Sequence, residues 1–207
     1  ISSSSSASFR DISITNCHSL TAGAVSVTAS DATFVRCSIT NVYGSYVLYI
    51  TGSCEVAITD SSIGRCRGSG VYAYSATGAV TITRTNITGI ESPSNGGAVS
   101  VYSTTSYTAT IEDCNFERNS ASSGGAVSAR SSGSRVMIVN SKISHNSAGS
   151  YGGAIYGYQG AFITVLSSTI DSNVAVSSGA VYVTYSVTLS LSGVNITSNS
   201  MTGDCVD

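Results

Sequence analysis

The sequence predicts an all-β chain wound as a right-handed parallel β-helix of about eight coils, each made of three short strands. Three observations predict it. The first is repetition. Gly-Gly-Ala-Val occurs at 96–99 and 124–127 and Gly-Gly-Ala-Ile at 152–155, a period near 28 residues. A period of that size marks a solenoid, whose repeats pack only on their neighbours. The second is a companion anchor, an apolar residue followed by another at +5 and a corner residue at +8. It begins at Phe9, Phe34, Ile58, Ile82, Ile111, Ile138, Val165 and Leu191, and its +5 residues are Ile14, Ile39, Ile63, Ile87, Phe116, Ile143, Ile170 and Ile196. The third is composition. Ser, Thr, Gly and Val dominate, residues that form helices poorly or indifferently, and the β-branched ones prefer strands.

Residues 1–8 are a serine-rich run, read as a linker or the tail of a preceding coil, and 9–207 as one β-helix domain belonging to a longer protein or filament. In every coil the first strand follows the Gly-Ala anchor, as in Ala98–Tyr102, and alternates small or polar with apolar residues. Its inward column is Val25, Leu48, Val71, Val99, Val127, Ile155 and Val181. The second strand carries the +0 residues and the third the +5 residues. A glycine before each first strand suits a corner that needs positive φ or close backbone approach.

At +8 the column reads Cys17, Val42, Cys66, Ile90, Asn119, Asn146, Asn173 and Asn199. Four successive asparagines predict a ladder, each amide bonded to the next coil and satisfying corner groups that water does not reach. The first half has a drier corner. At +2 the column runs Asp11, Arg36, Asp60, Arg84 and Asp113. Alternating sign at the coil period predicts a ladder of structural ion pairs, since an active site has no reason to repeat.

Together, Gly-Gly-Ala-Val/Ile and Phe116-Glu117-Arg118-Asn119 resemble the paired GGA(I/L/V) and FxxN motifs of the polymorphic outer membrane protein (Pmp) repeat family, within the pectin-lyase-like β-helices. The resemblance is close over 96–199, where the other copies carry Ile in place of Phe, and looser over 1–95. It implies a secreted, surface-exposed β-helix that works in adhesion without catalysis, here as a passenger segment lacking a membrane barrel.

Composition bounds the partners. Only 10% of residues are charged and the net charge is −2, against about 25% charged in an ordinary domain. The Lys and Arg are scattered, so the footprint of a nucleic-acid binder is missing. No apolar run reaches the length of a transmembrane helix. The six cysteines form no CxxC pairs and there are two histidines, which argues against zinc. Cys37 and Cys114 share a column three coils apart and Cys17 and Cys66 one two coils apart. At roughly 4.8 Å per coil neither pair is within bonding reach, so any extracellular disulfide crosses between columns, and some cysteines act as small buried apolar residues. The tripeptides Asn86-Ile87-Thr88 and Asn195-Ile196-Thr197 are candidate N-glycosylation sites of a secreted protein. An extracellular or cell-surface location is expected.

No cofactor or metal is expected, and no catalytic residues are assigned. A polysaccharide lyase or hydrolase on this fold needs clustered carboxylates in a groove walled by long loops. Here the coils are short, the acidic residues are spread out, and neighbours such as Glu112 and Asp113 point to opposite faces of a strand. His18 and His145 lie in different coils and read as surface residues. An ice-binding surface is a further alternative, but the outward column of the second sheet, Thr33, Ala57, Thr81, Thr110, Met137, Thr164 and Ser190, is interrupted twice. The first sheet carries the most distinctive surface: Tyr49, Tyr72, Tyr74, Tyr102, Tyr156, Tyr158 and Tyr182 all point outward, seven of twelve tyrosines. Tyrosine offers a large amphipathic area at low entropic cost, which makes this stripe the candidate contact face for glycans, a cell-surface protein or lateral assembly. Neither end offers a capping segment, so end-to-end self-association or continuation of the same chain is expected to cover the end coils.

Overall fold

In the computed structural model, which describes residues 5–20 and 22–203, the chain is a right-handed parallel β-helix without a single α-helix. Its three expected columns are each in register. Phe9, Phe34, Ile58, Ile82, Ile111, Ile138, Val165 and Leu191 pair in succession. Eight rungs make seven turns. Val25 to Val181 stack likewise in the first sheet, as do Ile14 to Ile196 in the third. These columns interdigitate into one continuous buried core. From Phe34 to Val165 their side chains are dry, because each strand buries every second residue against the other two sheets, whereas Leu191 and Ile196 in the last coil are exposed.

Corners give the coil its shape. At +2 every residue is left-handed, from Asp11 (φ 55°) through Asp113 (φ 54°) to Gly193 (φ 63°), and at +7 the same holds from Asn16 (φ 57°) to Ser198 (φ 53°). Between these bends the third strand is only three residues long in six of the eight coils, as in Asn115–Glu117, and there stops before +8. Gly96, Gly124 and Gly152 have φ of 71°, 64° and 61°, as the corner requires. The second glycine of each motif answers a different demand. A Cβ on Gly125 would lie 2.3 Å from the Gly153 carbonyl oxygen, so the loops nest only without side chains.

Two features depart from the expectation. In the second half each coil has a fourth short strand after the asparagine corner, such as Ser120–Ser123 and Ser147–Tyr151. In the first half, strands instead run around the corners, as in Tyr43–Thr59 and Ser62–Thr83. At the amino end, Ser6–Arg10 is a strand paired with Asp31–Val35, so Ser6 to Ser8 belong to the first coil and not to a linker. Residues 1–4 and 204–207 lie outside the described residues.

The asparagine ladder is present. Asn146 Oδ1 accepts from the Asn119 backbone N–H at 2.9 Å and from Asn119 Nδ2 at 3.0 Å, and Asn173 and Asn199 serve the preceding coil in the same way. Each Nδ2 also donates to a buried carbonyl, Asn146 to that of Phe116 at 3.0 Å. A second ladder, not anticipated, occupies +3 directly after the other left-handed corner. There Ser61 Oγ accepts from the Cys37 N–H, Thr85 Oγ1 from Ser61, Ser141 Oγ from Cys114, and Ser168 Oγ from Ser141. The signal was the column Cys37, Ser61, Thr85, Cys114, Ser141, Ser168, which is small and polar yet buried.

Disulfides are not formed: Cys17, Cys37, Cys54, Cys66 and Cys114 are all free, and Cys205 lies outside the described residues. Those that share a column, Cys37 with Cys114 and Cys17 with Cys66, are two or more coils apart, and the thiols turn to backbone carbonyls, Cys66 to Gly64 at 3.1 Å and Cys114 to Glu112 at 3.1 Å. They behave as small buried residues with a weak donor. Burial pushes the Cys66 thiol up and that of Cys114 up to about 11.

Candidate functional site

The tyrosine face is built by the first sheet, whose pleat sends alternate residues outward. Register places Tyr49, Tyr72, Ser100, Ser128, Tyr156 and Tyr182 in one outer column and Tyr74, Tyr102, Arg130 and Tyr158 in the next. All seven anticipated tyrosines are brought together. Three more join them from the adjoining corner segments, Tyr46, Tyr151 and Tyr185, which period-2 counting along the first-sheet strand does not reach.

These ten tyrosines form two stacks. In the first, Tyr46 lies 4.2 Å from Tyr72 at 5° between planes, and Tyr72, Tyr74 and Tyr102 continue the row at 6.1 and 5.5 Å. In the second, Tyr151 lies 4.5 Å from Tyr182, Tyr156 stacks on Tyr158 at 6.1 Å, and Tyr185 meets Tyr158 edge-on at 5.0 Å. Parallel strands hold the rings in this order because equivalent residues recur at every coil. Exposure is uneven: Tyr74 and Tyr185 stand out at 40% and 68%, whereas Tyr156 is buried beneath its neighbours at 9%. Between the stacks, Ser100 and Ser128 are buried and Arg130 spreads over Tyr102, its guanidinium carbon 5.2 Å from the ring centre. Burial pushes the Tyr72 and Tyr156 phenols above their ordinary value, and the Arg130 charge pulls both back.

A second concave feature was not foreseen. The connection from the +8 corner to the first sheet takes six residues from Val42 to Leu48 and five from Cys66 to Val71, against eight from Cys17 to Val25 and nine from Ile90 to Val99. Two short corners between two long ones leave a groove of about 510 Å³, floored by Gly44 and Gly68 and walled by Leu20 and Pro93. A Cβ on Gly68 would lie 2.2 Å from the Gly44 oxygen, so that floor stays bare. Along it stands one column from four coils, His18, Tyr43, Arg67 and Glu91. Arg67 Nε is 3.5 Å from Glu91 Oε2 and both side chains are largely exposed; the His18 and Tyr43 rings are 6.3 Å apart. The difference in corner length was legible in the sequence and is the signal for this groove.

The charged +2 column does not form a continuous ladder. Arg36 binds Asp11 through two bonds of 2.6 and 2.7 Å and Arg84 binds Asp60 through two of 2.6 and 3.1 Å, while Asp113 makes no ion pair among the described residues. Each guanidinium turns its Nε and one Nη donor to the carboxylate of the coil before it, and among the described residues neither makes a bond to the coil after it. Asn86 and Asn195 are exposed on third-sheet strands. His145 sits at the left-handed +7 corner, apart from His18. Among the described residues no cluster of three His, Cys, Asp or Glu is placed to hold a metal ion, and no helix is long and apolar enough to cross a membrane.

The family model described as right handed beta helix region matches residues 1–165 and again 46–207. No curated protein and no solved structure matches the chain.

Proposed function

We propose, starting from the fact that this chain belongs to the right-handed β-helix family, that it is a non-enzymatic extracellular segment, structural or adhesive, whose tyrosine face holds glycans or another surface protein. The observation that carries this reading is the face itself. Ten of twelve tyrosines are gathered into two stacks on one side of the solenoid, with one cation and no carboxylate among them. Such a surface suits flat, partly apolar ligands, because aromatic faces bury large areas without ordering flexible side chains. The pairing of Gly-Gly-Ala with Phe/Ile-x-x-Asn supports a finer placement among polymorphic outer membrane protein repeats, which are adhesive. The test replaces Tyr74, Tyr158 and Tyr185 by Ser. Tyr156 is spared because its truncation opens a buried site. The β-sheet circular dichroism should be unchanged and binding to a glycan array or to cell surfaces should drop at least tenfold; undiminished binding would remove the face from the reading.

The groove favours a second reading, a polysaccharide-acting enzyme, since His18, Tyr43, Arg67 and Glu91 bring acid, base and cation to one bare floor. Against it, Arg67 and Glu91 neutralise each other in open solvent, where such pairs carry little energy. Product release from a polysaccharide panel that disappears in both His18→Ala and Arg67→Ala would establish this reading in place of the first.

A further inference from the structure

We infer that the centre of the tyrosine face is an anion subsite, and that the face takes an acidic glycan, one bearing carboxylate or sulfate-ester groups. The inference rests on the glycan-binding reading of that face and narrows it to a ligand class. Its basis is the arrangement around Arg130. This residue ends the strand Val127–Arg130 and pairs in register with Tyr102 on one side and Tyr158 on the other. The cation therefore stands in an otherwise aromatic column, with a tyrosine about 4.8 Å away along the axis in each direction.

The Arg130 side chain makes no ion pair and no hydrogen bond among the described residues; its guanidinium carbon lies 5.2 Å from the centre of the Tyr102 ring. Arg36, Arg67, Arg84 and Arg118 each have a carboxylate within 4 Å; Arg135, which lies over Phe162, is like Arg130 in having a ring and no carboxylate, but it stands on the second sheet and not on the tyrosine face. A guanidinium carries five N–H donors in a planar fork that matches carboxylate and sulfate oxygens. Placed over the Tyr102 ring, it leaves that fork unused among the described residues. Two residues earlier, on the same side of the strand, Ser128 Oγ is buried with no hydrogen-bond partner. Buried polar groups are nearly always satisfied, so two adjacent residues at the midpoint of the face have unmet hydrogen-bonding capacity. The chain as a whole is slightly acidic, at −2, so attraction of an anion must be local to this residue and not a property of the general field.

The geometry suits a polymer lying along the axis, with sugar rings on the Tyr72–Tyr74–Tyr102 row and on the Tyr156–Tyr158–Tyr182 row, and one acidic substituent between them over Arg130. A planar carboxylate and a tetrahedral sulfate ester can each present two oxygens to the guanidinium fork, and the experiment separates them.

Binding of the whole chain to dextran, polygalacturonate and dextran sulfate is measured by titration calorimetry, for the native protein and for Arg130→Gln, Arg130→Lys and Tyr74→Ser/Tyr158→Ser. The native protein should bind one or both anionic polymers at least tenfold more tightly than dextran. Arg130→Gln should lose that preference while keeping its residual affinity for dextran. Arg130→Lys should recover only part, because an ammonium is a point charge without the fork. The polymer that loses most in Arg130→Gln identifies the acidic group. Equal binding of neutral and anionic polymers, or an anionic preference that persists in Arg130→Gln, overturns the inference. If the two-tyrosine variant then still loses affinity, the reading of the face survives without its anion subsite. Binding of a sulfotyrosine peptide with no binding of any of the three polymers overturns the glycan assignment. Should Arg130→Gln lose its circular dichroism, Arg130→Lys and the salt dependence of native binding decide: salt that does not weaken polygalacturonate or dextran sulfate binding counts against the subsite.

Discussion

The two halves of the solenoid solve the same corner in opposite ways. At +8 the second half places Asn119, Asn146, Asn173 and Asn199, and there the backbone breaks and side-chain amides bridge the coils. The first half places Val42 and Cys66, which accept nothing. There the strand pairing carries on through the bend, Cys66 with Ile90 and Arg67 with Glu91. The accounting behind this is strict: a buried backbone N–H needs an acceptor, from a side chain or from another strand. Asparagine frees the chain to leave the sheet and make a long Gly-Gly-Ala loop. The N–H groups of Ile90, Asn119, Asn146 and Asn173 each bond to the next coil's Asn, and from each of those four coils a loop with Gly97, Gly125, Gly153 or Gly179 departs. Without it, in the second and third coils, the chain hugs the sheet and the corner is short. The groove exists because those tight corners lie between looser ones.

The change that separates the halves most is Asn146→Leu. Leucine removes the acceptor of the Asn119 N–H and the donor to the Phe116 carbonyl, both buried. At about 1–3 kcal/mol per orphaned group, the loss should be about 2–6 kcal/mol in urea unfolding. Cys66→Val, at the equivalent position of the dry half, installs the residue that the same column carries at Val42, adds about one methyl group and breaks only weak thiol bonds. It should cost less than about 1.5 kcal/mol. Equal losses would mean that the two corners are not distinct solutions.

Much of this was legible beforehand, and the reason is the repeat. One sequence carries eight readings of one slot, so columns such as Ile14 to Ile196 and the asparagines stand out as an alignment would make them. The gaps have physical causes. The hydroxyl ladder at +3 was hidden because Ser and Thr are also the commonest surface residues here, and only burial separates Ser61 from Ser62. Left-handed corners were hidden because Arg36, Arg65 and Arg118 occupy them, residues with no preference for positive φ. The ion-pair column was over-read: alternating sign gives spacing, but one fork serves one carboxylate. Tyr46, Tyr151 and Tyr185 escaped because they lie outside the first-sheet strand pleat, Tyr46 and Tyr151 on the corner segment before it and Tyr185 just after it.

The next difference concerns thiols. Cys17, at the amino end, is partly accessible, whereas Cys37, Cys54, Cys66 and Cys114 are buried. With a disulfide-exchange reagent at pH 8, Cys17 should react in seconds to minutes and the other four only as fast as the coils open. Cys114 allows a check of sign. Its folded value, about 11, lies above its unfolded value of 9.0, so the unfolded chain gives up that proton first. Its contribution to stability is intact below pH 9 and is lost as the pH rises toward 11. Unfolding midpoints should fall over that window in the native protein and fall less in Cys114→Ser. A Cys114 thiol that reacts as fast as Cys17 would show that the core opens more easily than its packing implies.

The smallest contrast is electrostatic and again divides the halves. Asp11 and Asp60, in the first half, are held below the ordinary carboxylate range by the guanidinium bonds of Arg36 and Arg84. Asp171, in the second, is lowered by the hydroxyls of Thr197 and Ser172. All three have depressed folded values, so each contributes stability above pH 4 that fades as the pH drops through the folded value. Acid therefore does not distinguish the halves, but salt does. The ion pairs lie in open solvent, where ions screen charge over about 10 Å at 0.1 M, while a bond from a neutral hydroxyl is far less sensitive. Raising salt from 0.02 to about 0.5 M at pH 6 should speed amide exchange modestly at the corners around Asp11 and Asp60 and leave that around Asp171 unchanged. Equal response at the three corners would mean that the guanidinium pairs contribute as hydrogen bonds alone, and the charge alternation along +2 would then carry no energetic meaning.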